Sequence, residues 1–391
     1  MTFFGLATKN LGRNKVRTGL TVLGVAVAVV TFLLLRTVVS AWTSAADHAA
    51  KDRLVTRHKV TFVMPLPLRY LEEVRRAPGV KMATWANWFG GRDPNHEREF
   101  FATFAVDDKT YFEVVPELKV PADELAAFNE DKSGCIVGDM LAKKLGYAIG
   151  KPITLVSGIY PEGERPWTFT VRGIYTATAR NVDRMSLMFH WDYLNDALPE
   201  SRRDQVGWIM SRVVDPTRTA ELGVGIDRAF EERDIQTLSQ DEHTFQTSFM
   251  AGFSAVLTAF DVISVVILAI MTLILGNTIA MGVRERTGEF AAMRAIGFLP
   301  KHIALFILSE AVTLGLLGGG VGLAIAFPLV EGMLGRWLEE NMGAIFPFFR
   351  LPLPMVVVAF LLATLLGLLA AVLPARTAAR IKVTEALRRV A

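Results

Sequence analysis

The chain has 391 residues, a mean hydropathy of +0.34 and 51% hydrophobic residues, too apolar for one soluble globule. Yet 21% of residues are charged, with a net charge of +3, so the chain is not all membrane either. Its one cysteine, Cys135, excludes an intramolecular disulfide and a thiolate metal cluster within one chain.

A basic segment, residues 8–17, precedes an apolar run from Gly19 to Leu35 that continues past Arg36 to Trp42. The basic start and Ser44-Ala45-Ala46 would also suit a cleaved signal peptide. The apolar core is at the long end for that, so we read 1–18 as an N-terminal segment and 19–42 as a first membrane span.

Residues 43–248 contain no run long enough to cross a bilayer and read as a soluble α+β domain. Val60–Val63 reads as a strand, Leu68–Arg76 as a helix stopped by Pro78-Gly79, and Met82–Phe89 as a second strand, a βαβ unit. Val206–Val214, a helix opened by Asp215-Pro216, and Ile235–Leu238 repeat the pattern. Two such units predict a split, ferredoxin-like layer formed by the two ends of the domain. The insertion between them holds a strand and helix over Ile136–Gly146 and strands over Gly150–Leu155 and Trp167–Tyr175. Trp85, Trp88, Phe89, Phe100, Phe101 and Phe104 form an aromatic-rich stretch, read as core or as contact with an apolar cargo.

Residues 249–280 read as a second span that begins as a stalk and carries Asp261. A central aspartate costs about 2.5–3.5 kcal/mol to insert, while each Leu, Ile, Val or Phe returns about 0.3–0.6, so the surrounding apolar residues offset it. Residues 281–300 follow as a short amphipathic helix: Arg284, Glu285, Arg286, Glu289 and Arg294 alternate with Val283, Phe290, Met293 and Ile296. Gly297 sits at a helix stop, Pro300 at the next helix start, and Arg286 and Glu289 are spaced to pair across one turn. Residues 301–330 form a third span with Glu310, and its Gly315/Gly319 and Gly318/Gly322 pairs allow close approach of other helices. A short outer loop (331–350), a fourth span (351–373) and a tail (374–391) complete the chain. Asp261 and Glu310, as ionisable residues in spans, are candidate functional groups unless each pairs across the bundle, caps a helix or sits near an interface.

Basic residues flank the first span (Lys9, Arg13, Lys15, Arg17), fill the loop between the second and third (Arg284, Arg286, Arg294, Lys301), and follow the fourth (Arg376, Arg380, Lys382, Arg388, Arg389). The positive-inside rule therefore puts both termini and the middle loop in the cytoplasm and the large domain outside.

Motifs for catalysis are missing. The six histidines have no metal-ligand spacing, and Gly-x-Ser-x-Gly and Ser-x-x-Lys patterns are absent. The stretch Gly146-Tyr-Ala-Ile-Gly-Lys-Pro152 is too short for a phosphate loop, with proline where Ser/Thr is required, and reads as a turn. The chain is thus expected to be no enzyme and to carry no cofactor or metal of its own.

The segment Arg284-Glu-Arg-Thr-Gly-Glu-Phe-Ala-Ala-Met-Arg-Ala-Ile-Gly297 resembles the one after the second membrane helix in FtsX/MacB-type (type VII) ABC transporter permeases. Gly288 and Ala291 depart from that pattern. Residues 6–24 are similar to the family's start, and Pro374-Ala-Arg-Thr-Ala-Ala-Arg380 with Glu385-Ala-Leu-Arg388 to its C-terminal signature, Val383 standing where proline is usual. Stretches 137–146 and 169–175 are similar to the family's MacB-like extracytoplasmic domain. The resemblance implies four transmembrane helices with a large porter-like domain between the first and second, in a bacterial inner membrane. It implies a second permease, identical or paralogous, and an ABC ATPase subunit that binds ATP and Mg. Residues 281–300 would be the coupling helix, with Arg286, Glu289, Phe290, Met293, Arg294 and Ile296 against the ATPase. ATP hydrolysis would then move the external domain (mechanotransmission) to export or extract a hydrophobic molecule, lipid, lipoprotein or peptide, with a periplasmic adaptor or outer-membrane protein as possible further partners. The alternative is FtsX-like signalling that activates an extracytoplasmic hydrolase without transport.

Overall fold

The computed structural model describes residues 12–47, 49–160, 166–178, 182–251, 254–342, 346 and 348–380, excepting the side chains of 44–47, 249–251 and 342. Lys9 with the rest of the start, and the tail signature from Ile381 onward (Lys382, Val383, Glu385–Arg388, Arg389), lie outside the described residues. The chain forms two compact units, one of residues 41–253 and 336–348, the other of 1–40, 254–335 and 349–391.

Helix α1 (Lys15–Asp47) is followed by β1 (Arg53–His58), β2 (Leu66–Pro67), α2 (Tyr70–Arg76), β3 (Val80–Trp88), β4 (Gly91–Arg92) and β5 (Thr103–Val106). Then come α3 (Tyr111–Val114), β6 (Leu118–Lys119), α4 (Ala122–Glu130), β7 (Gly134–Gly138), α5 (Asp139–Leu145), β8 (Pro152–Ser157) and β9 (Trp167–Ala177). β10 (Leu187–His190), α6 (Trp191–Ala197), β11 (Gln205–Val206), β12 (Trp208–Val213), α7 (Thr219–Ala229) and β13 (Thr237–Asp241) close the domain.

One sheet runs β13-β1-β12-β3-β5-β10-β7-β9-β8-β4, with β6 on β9. Its first four strands have the order fourth-first-third-second expected of a ferredoxin-like split layer, all neighbours antiparallel. The insertion prolongs that sheet through β3–β5 pairing. The strand expected at Val60–Val63 is displaced: those residues form a loop with Val60 and Val63 exposed, and β1 is Arg53–His58. β-branched residues misplace it in sequence, while a charged Arg53 disguises the true central strand. Arg53 is tolerated there because it is fully paired. Its guanidinium donates to Glu242 (Nε 3.0 Å, Nη2 2.8 Å) and Glu117 (3.0 Å), and the Ala50 amide also donates to Glu242 (2.7 Å).

Apolar clusters cover both faces of the sheet. Of the aromatic stretch, Phe89 and Phe101 are core, Trp85 packs edge-on to Trp191, and Trp88, Phe104 and Trp208 form a half-buried row. Phe100 is exposed. Cys135 is buried in the core, and that burial pushes its thiol up, away from reactive thiolate. Gly146 (φ +69°) ends α5 and Gly150 (φ +83°) turns the chain into β8, so the loop-like glycines there serve a turn.

In the remaining chain α8 (Glu242–Ala251) leads to α9 (Ser254–Glu285), α10 (Thr287–Ala295), α11 (Pro300–Phe327), α12 (Gly335–Met342) and α13 (Leu353–Ala379). Four helical segments, beginning at Lys15, Ser254, Pro300 and Leu353, are long and apolar enough to cross a membrane. The stretch read as a loop after residue 330 stays helical to Met342, through a wide π turn at Pro328–Leu334 that absorbs the proline.

Helix α11 is approached closely by two others, because its glycines leave two adjoining rows without side chains. A methyl built on Gly315 would lie 2.7 Å from the Ala363 carbonyl oxygen of α13, and one on Gly319 3.2 Å from the Phe360 ring. In the adjoining row Gly318 and Gly322 would meet Val25 (2.5 Å) and Val29 (2.8 Å) of α1. Each small-xxx-small pair thus serves a different partner helix. Gly315→Leu and Gly322→Leu are each expected to lower stability by about 1–3 kcal/mol through overpacking. Gly320→Ala, with nothing within 4 Å of its methyl, should be neutral or slightly stabilising. Unfolding midpoints of the purified chain in detergent measure all three.

Candidate functional site

The site is built where α9 gives way to α10. Backbone bonds Arg286 N–Gly282 O (3.3 Å) and Phe290 N–Arg286 O (3.0 Å) bridge the junction, while Arg286 itself leaves helical geometry as the residue before α10 (φ −104°, ψ 18°). That turn swings its side chain inward. Its guanidinium pairs with Glu310 of α11, donates to the Gly282 carbonyl (3.2 Å) and lies 5.7 and 5.8 Å over the rings of Phe290 and Phe306. Nη1 has no acceptor among the described residues, so the carboxylate and the two rings carry its stabilisation.

Phe290 is fully buried and meets Phe306 edge-on, with Ala291 buried beside it. One side of α10 is therefore seated on α11. Its end is a glycine stop: Gly297 has φ +102°, the Phe298 amide donates to Met293 (3.0 Å), and Gly297 to Arg294 (3.1 Å). Pro300 opens α11 at its first position. The stop leaves Ile296 77%, Phe298 42% and Leu299 50% exposed, an apolar edge next to Glu289 and Arg294.

Six residues were expected to face an ATPase, and the structure divides them. Glu289 and Ile296 are exposed and Met293 and Arg294 half-buried, whereas Arg286 and Phe290 turn into this chain. The expected Arg286–Glu289 pair does not form. Glu310 takes Arg286, and Glu289 instead accepts from Arg13 (2.7 Å). The cause is geometric, since the break at Arg286 removes the helical register that the three-residue spacing assumed. Phe298 and Leu299 escaped notice because periodicity ends at Gly297, though a glycine stop is itself a signal that the next residues leave the seated face.

Arg13, Arg17, Glu285, Arg286, Glu289 and Glu310 line one cavity of about 240 Å³ at this end of the bundle. At a different level, Asp261 accepts from Arg36 (2.7 Å), whose guanidinium also lies 5.5 Å over Phe32. Both ionisable residues of the spans thus have an ion-pair partner, Glu310 in a half-buried pair and Asp261 in an exposed one. Among the described residues no group of three His, Cys, Asp or Glu is placed to hold a metal.

Helices long enough to cross a membrane, an α+β domain between the first and second, and a short charged helix after the second fit an ABC-transporter permease. The MacB-like periplasmic core domain model matches residues 18–229, more than half of the chain, and the FtsX-like permease C-terminal model matches 262–383. The chain belongs to the FtsX/MacB-like permease family. It is 22% identical to an uncharacterised ABC transporter permease of Methanocaldococcus jannaschii over 98% of this chain and 96% of that one. It is 31% identical to a macrolide export ATP-binding/permease protein MacB of Aeromonas hydrophila and 28% identical to one of Chromobacterium violaceum. These matches cover 46% and 62% of this chain but only 29% and 36% of those relatives, so it spans about a third of their length. Among solved structures, the extracellular domain of the noncanonic ABC-type transporter YknZ matches at 12% identity and a TM-score of 0.36, over 48% of this chain and 98% of that one.

Glu310→Gln leaves Arg286 buried without its counter-charge and is expected to cost about 3 kcal/mol of stability. Replacing both, Arg286→Met with Glu310→Leu, should cost markedly less, read from the same detergent unfolding.

Proposed function

We propose that this chain is the permease part of an ABC system whose ATPase, with its ATP and Mg, lies outside these 391 residues. The observation that carries this is the two-sided α10: Arg286 and Phe290 anchor it to α11, while Arg294, Ile296, Phe298 and Leu299 stay available at its edge beside the Arg13–Glu289 pair. An apolar ridge flanked by one acid and one base is what a groove on a soluble partner can grip. Movement of α10 is then transmitted to the external domain, with both termini and α10 in the cytoplasm of a bacterial inner membrane. The cargo class is a hydrophobic molecule, lipid, lipoprotein or peptide, which the half-buried row of Trp88, Phe104 and Trp208 supports. Family membership supports a second permease copy or paralogue in the same complex.

The test is purification of the tagged chain from its native membranes. An ATP-hydrolysing chain should accompany it, and Arg294→Glu with Ile296→Asp should cut that recovery about tenfold while leaving membrane insertion intact. Recovery of the chain with no ATPase, or an ATPase retained undiminished by the double variant, overturns the proposal.

A further inference from the structure

The bend between α9 and α10 is held from a second side, by the start of α1. Arg17 and Thr21 are spaced four apart and share one face of α1, while Arg13 sits in the turn just before it. Their partners run in the opposite direction along the chain. Arg13 pairs with Glu289 (2.7 Å), Arg17 with Glu285 (2.8 Å), and the Thr21 and Thr278 hydroxyls meet at 3.0 Å. The same antiparallel register continues upward: a methyl built on Gly24 would lie 3.5 Å from Ile274, and Arg36 pairs with Asp261. Four of these rungs lie within the α1–α9 pair and the Arg13–Glu289 rung extends them across the bend to α10, so the register is not that of one surface ion pair.

The two lowest rungs straddle the junction. Glu285 is the last residue of α9, Glu289 lies in the first turn of α10, and Arg286 between them is pinned to Glu310. We propose that Arg13 and Arg17 are positioning residues of α10: they bracket the α9–α10 bend, so that α10 cannot swing without carrying α1 and α9 with it. Taken singly, exposed ion pairs contribute little. Here Arg13, Glu285 and Glu289 stay accessible along the cavity, but Arg17 is only 24% exposed and the rung above it, Thr21, is buried, so the two pairs act together at the edge of a packed contact. What moves α10 rests on the proposed function. The bracket itself does not.

Hydrogen exchange of the full chain alone, in lipid nanodiscs, reads the bracket directly. Neutralising the acids (Glu285→Gln with Glu289→Gln) leaves the basic residues that orient the chain in place. It should raise amide exchange over residues 287–297 about fivefold, with the other membrane helices unchanged. Arg17→Glu with Glu285→Arg, which restores the pair in reverse, should exchange more slowly there than Glu285→Arg alone. Arg13→Lys with Arg17→Lys should stay near wild type. Exchange unaltered by the neutral variant, or no rescue on swapping, overturns the proposal. Since no ATPase is present, failure of the ATPase assignment would leave this result untouched.

Discussion

The bend at Arg286 rests on one largely buried ion pair at the edge of a cavity, and most of what the bundle offers follows from it. A guanidinium held among apolar side chains is stabilised only where a carboxylate, a carbonyl and aromatic faces meet it together. Glu310, the Gly282 carbonyl and the rings of Phe290 and Phe306 supply all three. Their joint demand fixes where α9 stops, which side of α10 is seated, and which side is left over. The exposed edge is therefore the complement of the anchored one. Removing one partner leaves a charge that the low-dielectric surroundings cannot solvate, which is why the pair constrains the backbone more strongly than any single apolar contact nearby.

Charge recurs as a means of tying segments in both units. In the external unit Glu242, at the start of α8, collects the Arg53 guanidinium and the Ala50 amide, so the chain just before β1 and the chain just after β13 are joined at one carboxylate. In the membrane unit Arg36 and Asp261 join α1 and α9. Each pair lies where two segments distant in sequence must hold a common register. The glycine faces of α11 do the converse: they remove side chains so that backbone and branched residues of α1 and α13 approach within van der Waals distance.

Much of this could be read from the sequence. Long apolar runs, the Pro300 start, the Gly297 stop and the two glycine pairs are local signals, and the structure has each feature where the residues put it. The ferredoxin-like layer was legible from two βαβ patterns, but its central strand was not, because Arg53 looks like a surface residue until Glu242 and Glu117 are brought to it by the fold. The same limit applied at the candidate site. Spacing alone pairs Arg286 with Glu289, whereas the partners in the structure are 24 and 276 residues away in sequence. Long-range electrostatics is decided by tertiary register, which no local window contains.

Under the proposed function, motion at α10 reaches the external domain. The most direct measurement is hydrogen exchange of the reconstituted permease–ATPase complex, compared with and without ATP, over residues 53–58 and 242–251. ATP is expected to change exchange in both of these segments, joined as they are through Glu242, as well as in α10. Changes confined to α10, with both external segments unaltered, would contradict it.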